Sequence, residues 1–294
     1  MTHIQLRTER KRRGHFRPPL QNSPDILLLG GQSGQPPMPT FQSLSLAGHI
    51  ARVDLHRPPV NALNQEFVRE LTRLARLLAK RRDVWLISIT SSLQTFCAGA
   101  DLKERASLSP TQILSTVTAI QRMVRAWVAV PQPVVAGIRG AALGGGLEFA
   151  LAADLIGVSE DAILGFPEVT LGIIPGAGGT QLLAHRTSRA VASRWILTGR
   201  RFSGREALAD RVVDFAWPAD EFPAAYEDLL TSLVANAPLA LRQAKRALRG
   251  YPPADLSRRF THERSCYAPL VRTIDRSEAL TAFLEKRAPV WKGR

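Results

Sequence analysis

The order of apolar and polar positions predicts strands that recur along the chain. Apolar and polar residues alternate in the first of these segments, as in a half-buried strand. The later segments are continuous apolar runs, which are typical of strands buried on both faces. The predicted strands span residues 49–55, 84–90, 134–138 and 154–159.

Helices are predicted between and after these strands. Asn64 and Ser109 are helix-capping residues, and an apolar stripe at helical spacing follows each of them. These two helices are predicted over residues 65–81 and 110–129. A short helix carries Glu148, Ser203 opens another capped helix, and the chain is mostly helical from about residue 221. Strands alternating with helices are typical of an α/β protein with parallel strand pairing.

This pattern divides the chain into three regions. Residues 41–220 form the predicted α/β core, and residues 221–294 form a helical C-terminal region. Residues 1–40 are rich in arginine and proline and have almost no periodicity, so they are predicted to be a disordered or non-native N-terminal extension. Two interpretations remain open: residues 1–37 are a mitochondrial transit peptide, or Met38 is the true start of a bacterial, cytoplasmic protein.

Charge is the one unusual feature of the composition. The formal net charge is +14, and arginine supplies 33 of the 39 basic residues. Such a balance favours RNA, an anionic membrane surface or an acidic small molecule as partner. The arginine preference of a GC-rich genome explains most of the charge without any partner, and we favour that interpretation.

Several classes of protein are disfavoured by the sequence. No apolar run approaches the roughly 20 residues that span a bilayer, so no membrane association is predicted. Cys97 and Cys266 are the only cysteines and belong to no Cys/His cluster, so neither a disulfide framework nor a metal site is expected. We predict that Cys97 is a small buried residue.

Two glycine-rich segments, each with an acidic residue beside it, carry the candidate chemistry. The first is residues 96–103, which include Gly99 and Asp101, and the second is residues 142–148, which end at Glu148. Glu168 follows twenty residues later. Glycine allows a backbone to approach a ligand closely, and the start of a helix leaves N–H groups without partners. Two such segments can direct two N–H donors at one carbonyl oxygen while two glutamates transfer protons, which indicates enolate chemistry.

These residues resemble the enoyl-CoA hydratase/isomerase (crotonase) superfamily. Three further segments are similar to the family pattern and follow in the family's order. They are residues 57–64 (RPPVNALN), 174–181 (IPGAGGTQ) and 283–287 (FLEKR). The resemblance covers the chain from about residue 41, and ADLKER and CYA are closest to the methylglutaconyl-CoA hydratase-like branch.

The resemblance implies a fold, an assembly and a substrate. The expected fold is a spiral of strand–strand–helix repeats followed by a C-terminal helical region that packs in trimers, giving a homotrimer or a dimer of trimers. The expected substrate is an acyl-CoA thioester, with no separate cofactor and no metal.

The resemblance also assigns roles to the glycine-rich segments and the glutamates. The N–H groups of Ala100 and Gly145 would form an oxyanion hole, and Glu148 and Glu168 would be the catalytic pair. That pair requires one ionised and one protonated carboxyl group. We expect an apolar pocket to raise their pKa values, and we predict that it is lined by Phe96, Leu143, Leu171 and Ile174.

Coenzyme A contacts are implied at six positions. These are Ala62, Ala98, Asp101, Leu102, Lys103 and Lys286. Asp101 belongs to the loop that shapes the oxyanion hole, so its role is structural, and Glu168 is predicted to lie in a loop. Lys286 is expected to reach the phosphates of coenzyme A in its own or a neighbouring subunit.

Three activities remain open at this stage. Two glutamates favour hydration of an enoyl-CoA, whereas isomerases of the superfamily commonly keep one acidic residue. A branched, methylglutaconyl-type substrate is the alternative within the hydratases. RNA binding is a weaker possibility that rests on basic residues of the first predicted helix. They are Arg69, Arg73, Arg76, Lys80, Arg81 and Arg82.

Overall fold

The strands in the described part of the chain form two sheets, one of seven strands and one of three. The computed structural model describes residues 25–26, 42–249, 253–290 and 292. The strands in this part are β1 (Asp25–Ile26), β2 (Gln42–Ala47), β3 (Ile50–Leu55), β4 (Leu86–Ser91), β5 (Val134–Ile138), β6 (Ala141–Leu143), β7 (Leu155–Ser159), β8 (Ile163–Gly165), β9 (Arg201–Ser203) and β10 (Phe215–Trp217). The larger sheet has the order β1-β2-β3-β4-β5-β7-β10, and the smaller one has the order β6-β8-β9.

Parallel pairing dominates the larger sheet. Strands β3, β4, β5, β7 and β10 are all parallel, whereas β1 and β2 extend the sheet with antiparallel pairs. In the smaller sheet β6 and β8 are parallel and β9 is antiparallel. Because β6 directly follows β5, the chain steps from the large sheet to the small one and then returns at β7. The segment after β4 lies beside β6, since Cys97 forms a parallel bridge with Ala142.

Helices separate the strands and dominate the last part of the chain. They are α1 (Gln65–Lys80), α2 (Leu102–Ala106), α3 (Pro110–Val128), α4 (Gly145–Ala150), α5 (Gly179–Arg186), α6 (Arg189–Leu197), α7 (Gly204–Ala209), α8 (Phe222–Val234), α9 (Pro238–Arg249), α10 (Pro253–Tyr267) and α11 (Ile274–Leu284). Two short 3-10 helices span Pro167–Leu171 and Leu270–Arg272. None of the described helices is long and apolar enough to cross a bilayer.

The core is formed by the apolar faces of α1 and α3 against the large sheet. Phe67 and Leu71 of α1 and Trp127 of α3 are completely buried there. On the opposite face α8 covers the sheet, where the hydroxyl of Tyr226 donates to the carbonyl oxygen of Val135 at 3.1 Å. The amphipathic stripes therefore hold the parallel sheet between helices, as parallel sheets require.

Most of the predicted elements are confirmed. The side chain of Asn64 caps α1, Ser109 and Gln112 form the reciprocal capping box of α3, and Ser203 caps α7 with Glu206. The prediction for Glu168 was wrong, because it lies in the 3-10 helix Pro167–Leu171 rather than in a loop.

Other predictions are not tested. Apart from the two residues of β1, the predicted N-terminal extension lies outside the described residues. The three region boundaries stay predictions. The basic residues of α1 lie mainly on its exposed side, as a solvated helix face would place them.

One buried side chain anchors the loop that follows β3 to the loop that follows β4. Asn61 is fully buried, and its amide nitrogen donates to Ser91 Oγ at 2.8 Å and to the Phe96 carbonyl oxygen at 2.9 Å. Its amide oxygen accepts from the N–H of Arg57 at 2.6 Å. The residue has a φ of 51°, a left-handed conformation that asparagine tolerates better than most residues. These bonds fix the start of the glycine-rich segment 96–103.

We expect Asn61→Ala to lower the free energy of unfolding by about 3 kcal/mol, because it leaves buried polar groups without partners. Asn64→Ala is the matched control, since it removes one part-buried capping bond and should cost about 1 kcal/mol. Urea unfolding of both variants measures the difference. Equal losses would show that Asn61 does not brace this loop.

Candidate active site

Two backbone segments meet at the ends of β4 and β6. The Cys97 carbonyl oxygen accepts from the N–H of Leu143 at 3.0 Å, and the Cys97 N–H donates to the Ala141 carbonyl oxygen at 3.1 Å. These bonds place Ala100 beside Gly145, since a Cβ atom on Gly145 would lie 3.7 Å from the Ala100 nitrogen. Within the described residues, neither of these two N–H groups donates a backbone hydrogen bond. Both residues line the same cavity.

Gly144 holds the turn from β6 into α4. Its φ is 50°, and a Cβ atom there would lie 2.7 Å from Oε1 of Glu168. The backbone of Gly144 therefore rests directly against the Glu168 carboxyl group, and the turn leaves the first N–H groups of α4 without intrahelical acceptors.

Glu148 lies in the first turn of α4 and is only 2% exposed. Its Oε1 atom accepts two backbone hydrogen bonds of 2.7 Å, from the N–H groups of Ala177 and Gly179. Burial raises the pKa of Glu148 well above its usual value, and the nearby charges of Glu263 and Glu168 raise it further. The two N–H donors act in the opposite direction by stabilising the ionised form.

Glu168 lines the same cavity and is 8% exposed. Its Oε2 atom is buried and has no hydrogen-bond partner in the structure. Burial raises the pKa of Glu168 to about 8, against smaller opposing effects of its own backbone N–H group and of Arg105. The Oε2 atom of Glu168 therefore has no donor that would stabilise an ionised form there.

A third buried carboxyl group, that of Glu263 on α10, lies behind the first two. It is 1% exposed, and burial raises its pKa to about 7. The three groups are electrostatically coupled, so their protons are shared among them as pH changes.

The cavity between these groups is narrow, with a volume of about 80 Å³. Apolar side chains from α3, from the end of the 3-10 helix and from the segment after it form much of its wall, and they explain why the carboxyl groups are poorly solvated. Among them are Val117, Ile120, Leu171, Ile173 and Ile174.

Arg105 and Tyr267 close one side of the cavity. Arg105 is buried, and its guanidinium donates to the Tyr267 hydroxyl at 3.0 Å. It forms no ion pair within 4.0 Å to any described carboxylate. A buried guanidinium whose bonded partner is a neutral phenol keeps most of its donors available to an anion.

The structure brings together most of the residues selected from the sequence. The cavity is lined by Glu148, Glu168, Ala100, Gly145, Ala98 and Leu102, together with the predicted wall residues Leu171 and Ile174. The other predicted contacts do not line it. Ala62, Lys103 and Lys286 lie elsewhere on this chain, so their contacts with coenzyme A stay predictions.

Asp101 has a structural position. Its carboxylate caps α2 by accepting from the N–H groups of Lys103 and Glu104, and it pairs with Arg57 at 3.1 Å. The loop that carries Ala100 is thereby held from both ends.

Two predicted wall residues were placed wrongly. Phe96 is buried in the core, where its ring stacks on Phe149 at 6.2 Å, and Leu143 pairs with Gly165 in the small sheet. Both precede the point where the chain turns toward the cavity, so neither lines it. Cys97 is confirmed as a small buried residue, and burial raises its thiol pKa to about 12.

Three residues of the site were missed from the sequence, namely Arg105, Tyr267 and Glu263. Arg105 follows the glycine-rich segment on α2, while Tyr267 and Glu263 come from α10, far along the chain. Arg105 and Tyr267 stand in the motifs ADLKER and CYA, which carried the family resemblance without an assigned role, and the only signal for Glu263 was its spacing of four residues from Tyr267. No group of histidine, cysteine and acidic residues suited to hold a metal occurs in the described part of the chain.

Comparison with known proteins identifies the family. Residues 46–294 match the family model described as "Enoyl-CoA hydratase/isomerase", and the chain belongs to this family. The chain is 44% identical over 248 residues to YngF of Bacillus subtilis, covering 83% of this chain and 95% of that protein. It is 37% identical over 238 residues to human mitochondrial methylglutaconyl-CoA hydratase, covering 79% of this chain and 70% of that protein.

A solved structure shows the same fold. The crystal structure of an enoyl-CoA hydratase from Mycobacterium avium subsp. paratuberculosis K-10 matches with a TM-score of 0.77 and 27% identity, covering 86% of this chain and 98% of that one. The predicted fold class is therefore confirmed: a mixed α/β fold of the crotonase type with a helical C-terminal region. The trimer and the compartment stay predictions, although the human relative is mitochondrial by name.

We expect Gly144→Ala to reduce turnover by at least about tenfold, because the added methyl group displaces the Glu168 carboxyl group, and small displacements in active sites are costly. Gly48→Ala is the matched control, since Gly48 has nearly the same φ of 49° but has nothing within 4 Å of the added Cβ atom. Steady-state kinetics and unfolding of the two variants separate the effects. Equal activity in both variants would contradict the contact between Gly144 and Glu168.

Proposed function

We propose that the protein is an enoyl-CoA hydratase, which adds water across the 2,3 double bond of an enoyl-CoA thioester. The observation that carries the proposal is the presence of two buried carboxyl groups, Glu148 and Glu168, in one cavity with two free backbone N–H donors. An enzyme that only moves a double bond needs one such acid–base group. The thioester is the substrate, and the proposed reaction uses no metal and no separate cofactor.

The two N–H donors form the oxyanion hole of the proposed reaction. Addition of water at C3 moves negative charge onto the thioester oxygen, and donors fixed before the reaction stabilise that charge without reorganisation. Ala100 and Gly145 provide such donors because hydrogen bonds of the adjacent backbone hold both segments in place. Removal of one donor in such sites costs about 3–4 kcal/mol of transition-state stabilisation.

Hydrogen bonding assigns different proton-transfer roles to the two glutamates. Glu148 is the base, because its Oε1 atom accepts two N–H bonds that favour the carboxylate. It takes a proton from water as the water oxygen bonds to C3. Glu168 is the acid, because its Oε2 atom has no donor and its pKa is raised to about 8, and it gives its proton to C2. Transfer of a proton from Glu148 back to Glu168 through solvent completes the cycle.

We expect Glu148→Gln and Glu168→Gln each to lower kcat for hydration by about 10²–10⁴-fold, the usual contribution of a general acid or base. The loss of ultraviolet absorbance of crotonyl-CoA measures the rate. Glu221→Gln is the control, because Glu221 is exposed and makes no capping hydrogen bond. Because Glu168 must be protonated, activity should fall as pH rises through about 8, and this alkaline limb should be absent from Glu168→Gln.

Two outcomes would contradict the proposal. Full hydration by either glutamine variant would remove the two-glutamate mechanism. A product that keeps its double bond at a new position would identify an isomerase instead.

Arg105 favours a second candidate, a hydratase of the branched methylglutaconyl type. An acyl group of that type carries a second carboxylate at its far end, and a buried guanidinium beside a phenol hydroxyl is suited to bind it. Human methylglutaconyl-CoA hydratase is among the relatives, which supports this choice of substrate class. Arg105 lines the cavity together with both glutamates, so one molecule can contact all three.

We expect Arg105→Gln to lower the preference for 3-methylglutaconyl-CoA over crotonyl-CoA by about 10–100-fold, since a charged hydrogen bond contributes about 1.5–3 kcal/mol. The ratio of kcat/KM values is the measurement, because any effect of Arg105 on the pKa of Glu168 acts on both substrates and cancels. Arg272→Gln, an exposed arginine in the same region, is the control. An unchanged ratio would leave a hydratase of unbranched enoyl-CoA.

A further inference from the structure

Four successive backbone N–H groups are divided between two buried carboxylates. The N–H groups of Ala177 and Gly179 donate to Glu148, both at 2.7 Å. The intervening N–H of Gly178 donates to Glu263 Oε2 at 2.6 Å, and the N–H of Thr180 donates to Glu263 Oε1 at 3.1 Å. The segment 177–180 is thus held on one side by α4 and on the other by α10.

The conformation of segment 177–180 depends on its contacts with both α4 and α10. Gly178 has a φ of 116°, and a Cβ atom there would lie 2.4 Å from the ring of Phe260 on α10. The backbone at Gly178 is therefore in direct contact with α10. Because α10 binds the N–H groups of Gly178 and Thr180, it also fixes the direction of the alternate N–H groups, which point to Glu148. Glu263 receives the latter pair.

Glu263 does not have the surroundings of a residue retained for an ion pair. Its bonded donors are neutral: two backbone N–H groups, the Thr180 hydroxyl and the Gln121 side chain. No ion pair to it occurs among the described residues. A buried carboxylate whose donors are all neutral lowers the free energy of unfolding, and an amide or an apolar residue at this position would lower it less.

We infer that Glu263 is a positioning residue for the proposed hydration. It holds segment 177–180 so that the N–H groups of Ala177 and Gly179 bind Glu148, and its negative charge acts on Glu148. The inference rests on the proposed function, and Glu263 itself lines no part of the cavity. It acts only through the loop and through its field.

The charged groups around Glu148 determine in which direction its pKa changes when Glu263 is replaced. Glu148 is faced by Glu168 from the 3-10 helix and by Glu263 from α10, and Glu263 is the larger of these two contributions to its raised pKa. Arg105 of α2 lies on the Glu168 side, and Tyr267 and Arg276 lie beyond it. Removal of the Glu263 charge therefore lowers the pKa of Glu148 and extends activity to lower pH.

Three variants test the inference. Glu263→Gln removes the charge and turns an amide N–H₂ toward a backbone N–H, so kcat should fall about tenfold with little change in KM, while the acidic limb of the pH profile moves to lower pH by about one unit. Glu263→Asp keeps the charge but shortens the side chain, so kcat should fall while the acidic limb stays in place. Thr180→Val removes the hydroxyl donor to Glu263 but keeps its charge, so the acidic limb of the pH profile should stay within a few tenths of a pH unit of wild type.

A second measurement does not depend on turnover. The carbon resonances of labelled glutamate carboxyl groups, assigned with Glu148→Gln, report the titration of Glu148 in wild type, Glu263→Gln and Glu263→Asp. A lower Glu148 midpoint in Glu263→Gln alone supports the inference. An identical midpoint in all three proteins, or a kcat in Glu263→Gln equal to wild type, overturns it. Wild-type protein inactive on every enoyl-CoA would remove the proposed function, and the titration would still decide whether Glu263 controls Glu148.

Discussion

The site depends on direct contact between two stretches of backbone. A Cβ atom on Gly146 would lie 2.1 Å from the Cys97 carbonyl oxygen, so the start of α4 and the segment after β4 touch without any intervening side chain. This contact brings the Ala100 and Gly145 N–H groups together and places Glu148 at the cavity. Asn61 and the ion pair between Arg57 and Asp101 hold the first segment, while the pairing of β6 with β8 holds the second. Each of these supports fixes the backbone that carries the Ala100 and Gly145 N–H groups.

The second constraint is the electrostatic cost of three carboxyl groups in a poorly solvated space. Glu148, Glu168 and Glu263 are all buried, and Arg105 is the cation that opposes the raised pKa of Glu168. Such a cluster persists only if protons are shared and if donors stabilise the remaining charge. The donors come from segment 177–180, whose N–H groups alternate between Glu148 and Glu263. These hydrogen bonds lower the free-energy cost of burying the three carboxyl groups. They also give the three groups different affinities for a proton, which acid–base catalysis requires.

Helix starts were predictable from the sequence because they depend on interactions between residues close together in the chain. Asn64 and Ser109 predict the starts of their helices because a capping side chain acts within three residues. The two N–H donors of Ala100 and Gly145 were predicted from the family resemblance of the glycine-rich segments. Long-range contacts were not predictable in this way. Glu263 is bonded to Gly178 across 85 residues, and nothing in its own helix distinguishes it from a solvated glutamate. Phe96 was misplaced for the same reason, since apolar character predicts burial but does not say which apolar space the residue fills.

The C-terminal helices belong to the site as well as to any assembly. Phe260, Glu263 and Tyr267 lie three and four residues apart on α10, a spacing that puts all three on one helix face. Phe260 contacts Gly178, Glu263 binds the same segment, and Tyr267 reaches the guanidinium of Arg105. One face of α10 therefore both supports the segment that binds Glu148 and contributes Tyr267 to the wall of the cavity. Because α10 follows the last strand of the sheet, the α/β core supplies Ala100, Gly145, Glu148 and Glu168 to the cavity. Glu263 of α10 adds to the electrostatic surroundings of Glu148.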